Sequence, residues 1–243
     1  MDKVCDGKVA LVTGAAGSGM GRSIALTLAR EGANVVVNYR TSEESARAIV
    51  SHIQSSGGNA VAIQANVFEA DACEKLIVSC TEQFGQVDIC VIGPGGEWHQ
   101  EAIDSLDSGA PENVYREIAP LFHLMPLVLP GMYRRKWGRL VGIALHPTEL
   151  SPAYSYNVGK AARTQAFLQA TTEAWRNGVT VNVIAPGPVP SIKDLRRAVE
   201  QCHHGQGWES RTTISPQDIA EGVAFLCSES GRFITGCVLP YLY

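Results

Sequence analysis

The amino-acid sequence predicts an α/β fold: one doubly wound, parallel sheet with helices on both faces. Three observations lead there. Short β-branched runs alternate with longer stretches of helical period, the order that βαβ units impose. The runs show little polar alternation, so the strands are expected to be buried on both faces. No linker-like composition shift and no internal repeat breaks the rhythm, so residues 1–243 are read as one domain.

In order, Val9-Ala10-Leu11-Val12 reads as a strand, Ser23 to Glu31 as an amphipathic helix, and Ala33-Asn34-Val35-Val36-Val37 as the next strand, which together make one βαβ unit. Helix Glu43 to Gln54, strand Ala60 to Gln64, helix Asp71 to Phe84 and strand Asp88 to Ile92 continue it. The second half predicts a long helix from about Glu112 to Arg135, a strand Arg139 to Ala144, a helix Tyr154 to Trp175 and a strand Thr180 to Ile184. Pro120, Pro126 and Pro130 each remove a backbone donor inside the long helix and predict a kink or an end there. Gly187 to Thr213 is rich in Pro, Gly, His and Trp, with one short helical run, Lys193 to Cys202, and is expected to be a mobile substrate loop.

Composition excludes several classes. Apolar residues make up 45% and charged residues 18%, and 24 Gly and 12 Pro are ordinary usage, so collagen-like, low-complexity and disordered readings fail. A formal charge of −4 gives no electrostatic reason to expect nucleic acid or an anionic membrane surface. No apolar run reaches the ~18 residues of a membrane helix. Met1-Asp2-Lys3 leads into a Gly-punctuated segment rather than an apolar core, so a cytoplasmic protein without membrane attachment is expected. The seven cysteines are odd in number and form no Cys-x-x-Cys pair, which argues against a disulfide framework and a zinc site. Cys202-His203-His204 has ligand atoms, but adjacent helical side chains diverge, and no metal site is expected.

The first strand runs straight into Thr13-Gly14-Ala15-Ala16-Gly17-Ser18-Gly19-Met20-Gly21-Arg22, a glycine-rich turn that opens a helix. Glycine permits positive φ and close backbone approach to a pyrophosphate, and the amides at a helix start favour its charge. Set after a buried strand and inside a βαβ unit, the turn reads as a Rossmann-type dinucleotide site with Gly14, Ser18, Gly19, Met20 and Gly21 as candidate contacts; the bland alternative is a flexible loop. The second strand ends in Asn38-Tyr39-Arg40-Thr41-Ser42, with no carboxylate for a ribose 2′-hydroxyl. Asn38, Arg40 and Thr41 therefore predict NADP(H), with NAD possible, unless Arg40 is an ordinary solvated charge.

With these residues in place, the sequence resembles a short-chain dehydrogenase/reductase of the β-ketoacyl-reductase-like group over nearly its whole length. Asn66-Val67 resembles the position that meets the adenine. Tyr156-Asn157-Val158-Gly159-Lys160 resembles the Tyr-x-x-x-Lys catalytic pair, Ile184-Ala185-Pro186-Gly187 the loop beside the nicotinamide, and Ile234-Thr235-Gly236 the last strand. Tyr and Lys four apart share one helical face, so the ammonium is expected near the phenol, where it favours the phenolate and lets Tyr156 act as acid/base. The alternative for this pair is a buried Tyr with a snorkelling lysine. The resemblance further implies that Lys160 holds the nicotinamide ribose, that Pro186 and Gly187 line the ring, and that the chain forms a homotetramer or dimer acting on a small molecule.

Several positions depart from the family pattern. Ile92-Gly93-Pro94-Gly95 replaces Asn-Asn-Ala-Gly, so Gly93 stands where an Asn would meet the coenzyme. Leu145 occupies the position of the substrate-orienting Ser, and Glu117 that of the helix Asn that supports the lysine through water. His146 is the best substitute donor, ahead of Ser151 and Ser155, and Glu117 could hold Lys160 charged. The chain also lacks the usual Asp-Gly-Gly ending. Two readings follow: an NADP(H)-dependent oxidoreductase with Tyr156, Lys160 and His146 as catalytic residues, or a cofactor-binding pseudoenzyme serving as a regulatory or structural subunit. Lyase or dehalogenase chemistry on the same scaffold fits less well, because it has no need of the glycine turn.

Overall fold

The structure, a computed structural model, describes residues 3–93, 95, 98–146, 152–204 and 213–241. Seven strands form one sheet: β1 (Val9–Val12), β2 (Asn34–Tyr39), β3 (Asn59–Gln64), β4 (Ile89–Ile92), β5 (Gly138–Ile143), β6 (Val179–Pro186) and β7 (Val238–Tyr241). Their spatial order is β3-β2-β1-β4-β5-β6-β7, with every neighbouring pair parallel. The order turns round between β1 and β4, and a doubly wound sheet opens its ligand crevice there, outside the carboxyl ends of the strands.

Every residue of β1, β4, β5 and β6 is buried, which is why these runs lack polar alternation. The pleat sorts them between two cores. Ala10, Val12, Val35 and Val37 pack with α1 (Met20–Arg30), α2 (Glu43–Ser55) and α7 (Pro216–Cys227). On the opposite face Leu11 and Val36 pack with α3 (Ala70–Phe84), α4 (Ala110–Arg135) and α5 (Tyr154–Arg176), whose Leu76, Leu124 and Phe167 are fully buried. Each such side chain contributes about 1.5–3 kcal/mol relative to exposure.

Two expectations are corrected. The long helix runs unbroken from Ala110 to Arg135 through all three prolines. Pro126 and Pro130 lie on its exposed face, where water can take up the carbonyls left unpaired one turn earlier, and Leu121, Leu124, Val128 and Met132 pin the other face to the sheet. The last strand starts at Val238; Ile234-Thr235-Gly236 is the turn before it, with Gly236 at φ +71° and the Thr235 hydroxyl accepting the Val181 amide at 3.0 Å. After β6, the short helical run expected over Lys193 to Cys202 is present as a helix. Leu195–His204 forms α6, and the Ile192 amide donates to the Ser18 carbonyl at 2.7 Å while Arg22 Nη1 donates to the Ile192 and Lys193 carbonyls. Residues 205–212 of the expected substrate loop lie outside the described residues.

Candidate active site at the carboxyl edge of the sheet

The glycine turn has the backbone that its sequence requires. Gly14 adopts φ +62°, and a Cβ on Gly21 would stand 2.6 Å from the Gly14 carbonyl oxygen, so the first turn of α1 closes against the strand only with glycine there. Gly19 caps α1 without any side-chain hydrogen bond, leaving the first amides, beginning at Met20, for an anion. A cleft of about 450 Å³ opens beside the turn, lined by Gly14, Gly17, Arg40, Thr41, Asn66 and Val67 on one side and by Asn113 and Arg116 of α4 on the other. A Cβ-free turn, open amides and a cleft of this size fit a dinucleotide.

Asn38 is corrected. It is buried, its Oδ1 accepts the Gly14 amide at 3.2 Å, and its Nδ2 donates to the carbonyls of Ile63 and Ala65 at 3.3 and 3.2 Å. This side chain braces the turn against β3 and has no donor left for a ligand. Arg40, by contrast, is exposed at the strand end, with its guanidinium carbon 5.9 Å from the Phe68 ring centroid. Asn66 donates to Glu69 Oε1 at 2.7 Å and accepts the Phe68 amide at 3.3 Å, which shapes the loop on the cleft floor. Val67 is buried, and its carbonyl lies 3.1 Å from His123 Nδ1. The Gly93 amide donates to the Thr13 hydroxyl at 3.0 Å, tying the turn after β4 to the end of β1.

At the other end of the crevice, the His146 amide donates to the Pro186 carbonyl at 3.1 Å, and the Gly187 amide donates to the Tyr241 carbonyl at 2.8 Å. These contacts bring the candidate His146 to the candidate ring-lining loop. Ser155 is buried, and its amide donates to Glu101 Oε2 at 2.7 Å, so it belongs to the start of α5; Ser151 and Pro94 lie outside the described residues.

Tyr156 and Lys160 share one face of α5, with the ammonium 5.1 Å from the phenol ring centroid. Lys160 Nζ also lies 3.0 Å from Glu117 Oε2, in a close ion pair whose angles fall short of a hydrogen bond. Burial first, and the Glu117 charge second, push the Tyr156 phenol up to about 12. Arg163 works against both, and Lys160, expected to lower the phenol, has its ammonium paired with Glu117. Burial also pulls Lys160 below the ordinary amine value, with Glu117 working against that pull.

Sequence reasoning missed two members of this region. Arg163, fully buried one turn beyond Lys160, donates from Nη1 to the Glu117 carbonyl at 2.8 Å and from Nη2 to the Ile92 carbonyl at 2.6 Å. Its signal was present, since 156, 160 and 163 share a helical face. Glu101 gave no signal, because its partner is 54 residues away. Among the described residues, no group of three or more His, Cys, Asp or Glu could hold a metal ion, and no helix is long and apolar enough to cross a membrane.

A parallel sheet with a glycine turn at its switch point and a Tyr-x-x-x-Lys helix beside it defines a nicotinamide-dependent oxidoreductase scaffold. Known proteins agree. The family model described as short chain dehydrogenase matches residues 8–200. The chain is 33% identical over 234 residues to 3-oxoacyl-(acyl-carrier-protein) reductase FabG of Staphylococcus epidermidis, covering 94% of this chain and 95% of that one. Among solved structures, a hydroxysteroid dehydrogenase from Escherichia coli superposes with TM-score 0.83 at 28% identity, covering 99% and 97% of the two chains. A 7α-hydroxysteroid dehydrogenase complexed with NADH and 7-oxo glycochenodeoxycholic acid gives TM-score 0.84 at 27% identity over 98% and 94%. The chain belongs to the short-chain dehydrogenase/reductase family, in its β-ketoacyl-reductase-like group, and is an NAD(P)-dependent oxidoreductase.

Proposed function

We propose that this enzyme interconverts a carbonyl and a secondary alcohol with NADP(H), using Tyr156 as the general acid/base. The observation that supports it best is the Tyr156–Lys160 pair, 5.1 Å from ammonium to ring centroid on one face of α5. The names of the relatives, 3-oxoacyl and hydroxysteroid enzymes, support the carbonyl/alcohol class. The coenzyme, when bound, supplies or accepts the hydride.

The chain's own residues do the rest. In reduction Tyr156 gives its phenolic proton to the substrate oxygen as the carbonyl carbon takes the hydride; the phenolate then recovers a proton from solvent. Lys160 holds the nicotinamide ribose, and His146 donates to the substrate oxygen where Leu145 cannot. Gly14 and Ser18 to Gly21 hold the pyrophosphate, Asn66 and Val67 the adenine end, and Gly93, Pro186 and Gly187 the ring end. Arg40 and Thr41 take the 2′-phosphate, which selects NADP(H) over NAD(H). The enzyme works as a homodimer or homotetramer in the cytoplasm.

The test is a titration of the purified protein with NADPH, followed by absorbance assays on ketones, quinones and β-ketoacyl thioesters, for the parent and Tyr156→Phe. Tyr156-dependent oxidation of NADPH is expected. Binding without turnover would leave the pseudoenzyme reading, and failure to bind either coenzyme would remove both. Unchanged turnover in His146→Ala would take His146 out of the scheme.

A further inference from the structure

Three charged groups meet inside the protein between α4, α5 and the end of β4. Glu117 has no exposed surface, Lys160 and Arg163 are buried, and the three leave one net positive charge inside the protein. The Glu117 carboxylate fits because two glycines make room for it. A Cβ on Gly159 would lie 2.6 Å from Glu117 Cγ, and a Cβ on Gly95 would overlap its carboxylate. Neither carboxylate oxygen has an aligned hydrogen-bond donor among the described residues, so its principal stabilising partner is the Lys160 ammonium at 3.0 Å. An uncompensated buried carboxylate costs several kcal/mol, so this pairing is strongly held.

We propose that Glu117 is a positioning residue that draws the Lys160 ammonium away from the Tyr156 hydroxyl, so that Tyr156 is held as a proton donor and the enzyme favours reduction at neutral pH. This deepens the proposed function and rests on Tyr156 being its acid/base. The ammonium cannot both satisfy a carboxylate that lacks other donors and give its full charge to the phenol. Arg163, from the same helix as Tyr156, is anchored to the Glu117 and Ile92 carbonyls. The other ionisable groups at this end of α5 are Glu101, held by the Ser155 amide and 3.6 Å from His99, and His146, whose amide is bound to the Pro186 carbonyl. Burial first and Glu117 second favour the neutral phenol and outweigh Arg163, the cation that acts on it in the opposite sense. A protonated phenol is ready to give its proton to a carbonyl oxygen, whereas alcohol oxidation must first remove that proton.

The experiment reads Tyr156 without turnover. The tyrosinate ultraviolet band is titrated in the coenzyme-free parent and in Tyr156→Phe, and the difference isolates one of seven tyrosines. Over the pH range in which circular dichroism stays native, Tyr156 of the parent should show less tyrosinate than an ordinary phenol of pKa about 10. In Glu117→Gln it should ionise at least about one pH unit lower, and alcohol oxidation at pH 7 should rise about tenfold, because the phenolate fraction rises tenfold per unit. Parent ionisation at or below the ordinary value overturns the proposal, even if Glu117→Gln fails to fold. So does a folded Glu117→Gln whose Tyr156 titrates as in the parent. Loss of turnover in the parent assay bears on the redox reading alone, since this titration does not depend on it.

Discussion

The Glu101 carboxylate caps, from 54 residues away, the helix that carries Tyr156: its Oε2 accepts the Ser155 amide at 2.7 Å. The residue at the helix start, Ala153, has no side chain that could do this. The Tyr154 amide also donates to the Glu101 carbonyl at 3.1 Å, so the two segments are stitched together on both sides of the cap. An anion at a helix start is favoured by the open amides and the helix dipole. The Ser155 hydrogen bonds hold the Glu101 carboxyl below the ordinary carboxylate range. Its contribution to stability is therefore full above about pH 4.3 and is lost as pH falls through that range. Glu101→Ala should melt below the parent at pH 7, and the gap should close in acid. Circular-dichroism melts at the two pH values check this; a gap of equal size at both would show that the charge is not involved.

Arg40 should decide between the two coenzymes. It stands exposed at the end of β2 beside the cleft, and β2 does not end in a carboxylate that could take a ribose hydroxyl. A charge-assisted hydrogen bond contributes about 1.5–3 kcal/mol, or about 10- to 150-fold in affinity. Arg40→Ala should weaken NADPH by that factor and leave NADH unchanged, as measured by fluorescence titration. Equal weakening of both coenzymes would assign Arg40 to the adenosine in general.

The legible parts of this molecule are those whose cause is local. Strands β1 to β6 could be read from their short β-branched runs, wholly apolar in the fully buried β1 and β4, and Tyr156 and Lys160 because four residues of helix fix their face. β7 was misread because Gly236 turns the chain before the strand begins and Pro240 weakens its pattern. Proline is tolerated there since β7 lies at the sheet edge. Glu117 could be placed opposite Lys160 from its position in the family pattern, but not its consequence: proximity of Lys to Tyr says nothing about a third group that competes for the ammonium. Arg163 reaches the Ile92 carbonyl across 71 residues, a contact set by tertiary packing alone. Asn38 looked like a ligand because a polar residue in a buried strand needs partners; those partners turned out to be backbone groups of the turn and of β3 and the residue after it.

The cysteines predict a sharp alkaline limit. Burial pushes the Cys5 and Cys80 thiols from the ordinary 9.0 up to about 12, and raises Cys90 and Cys227 further. The folded state keeps these thiols neutral while the unfolded chain ionises them. Stability is thus fully present below pH 9 and is lost as pH rises toward the folded values. Burial raises Cys73 and Cys202 as well, so at pH 10 several thiols each remove on the order of 1 kcal/mol, together comparable to the whole stability of many domains. Urea denaturation at pH 8 and pH 10 should show that difference, and it should be smaller in a Cys90→Ala variant. A parent with the same midpoint at both pH values would mean that the thiols reach solvent.

Phe122 should mark where copies of this chain meet. It is 63% exposed on α4, above the exposed Pro126 and Pro130 on the same stripe, while α5, packed beside α4, exposes Tyr154 and Val158. Large apolar side chains gathered on two adjacent helices are costly to leave in water, and a Phe contributes about 1.5–3 kcal/mol when covered. In a symmetric dimer the same residue is buried twice, so one substitution acts on the interface twice over. Phe122→Arg would place a guanidinium in that contact with no partner provided for it. Light scattering at micromolar concentration should give the parent as a multiple of 26.0 kDa and the variant as a single chain, with unchanged circular dichroism to show that it has folded. A parent that already runs as one chain, or a variant that keeps the parent's mass, would move the contact off this face.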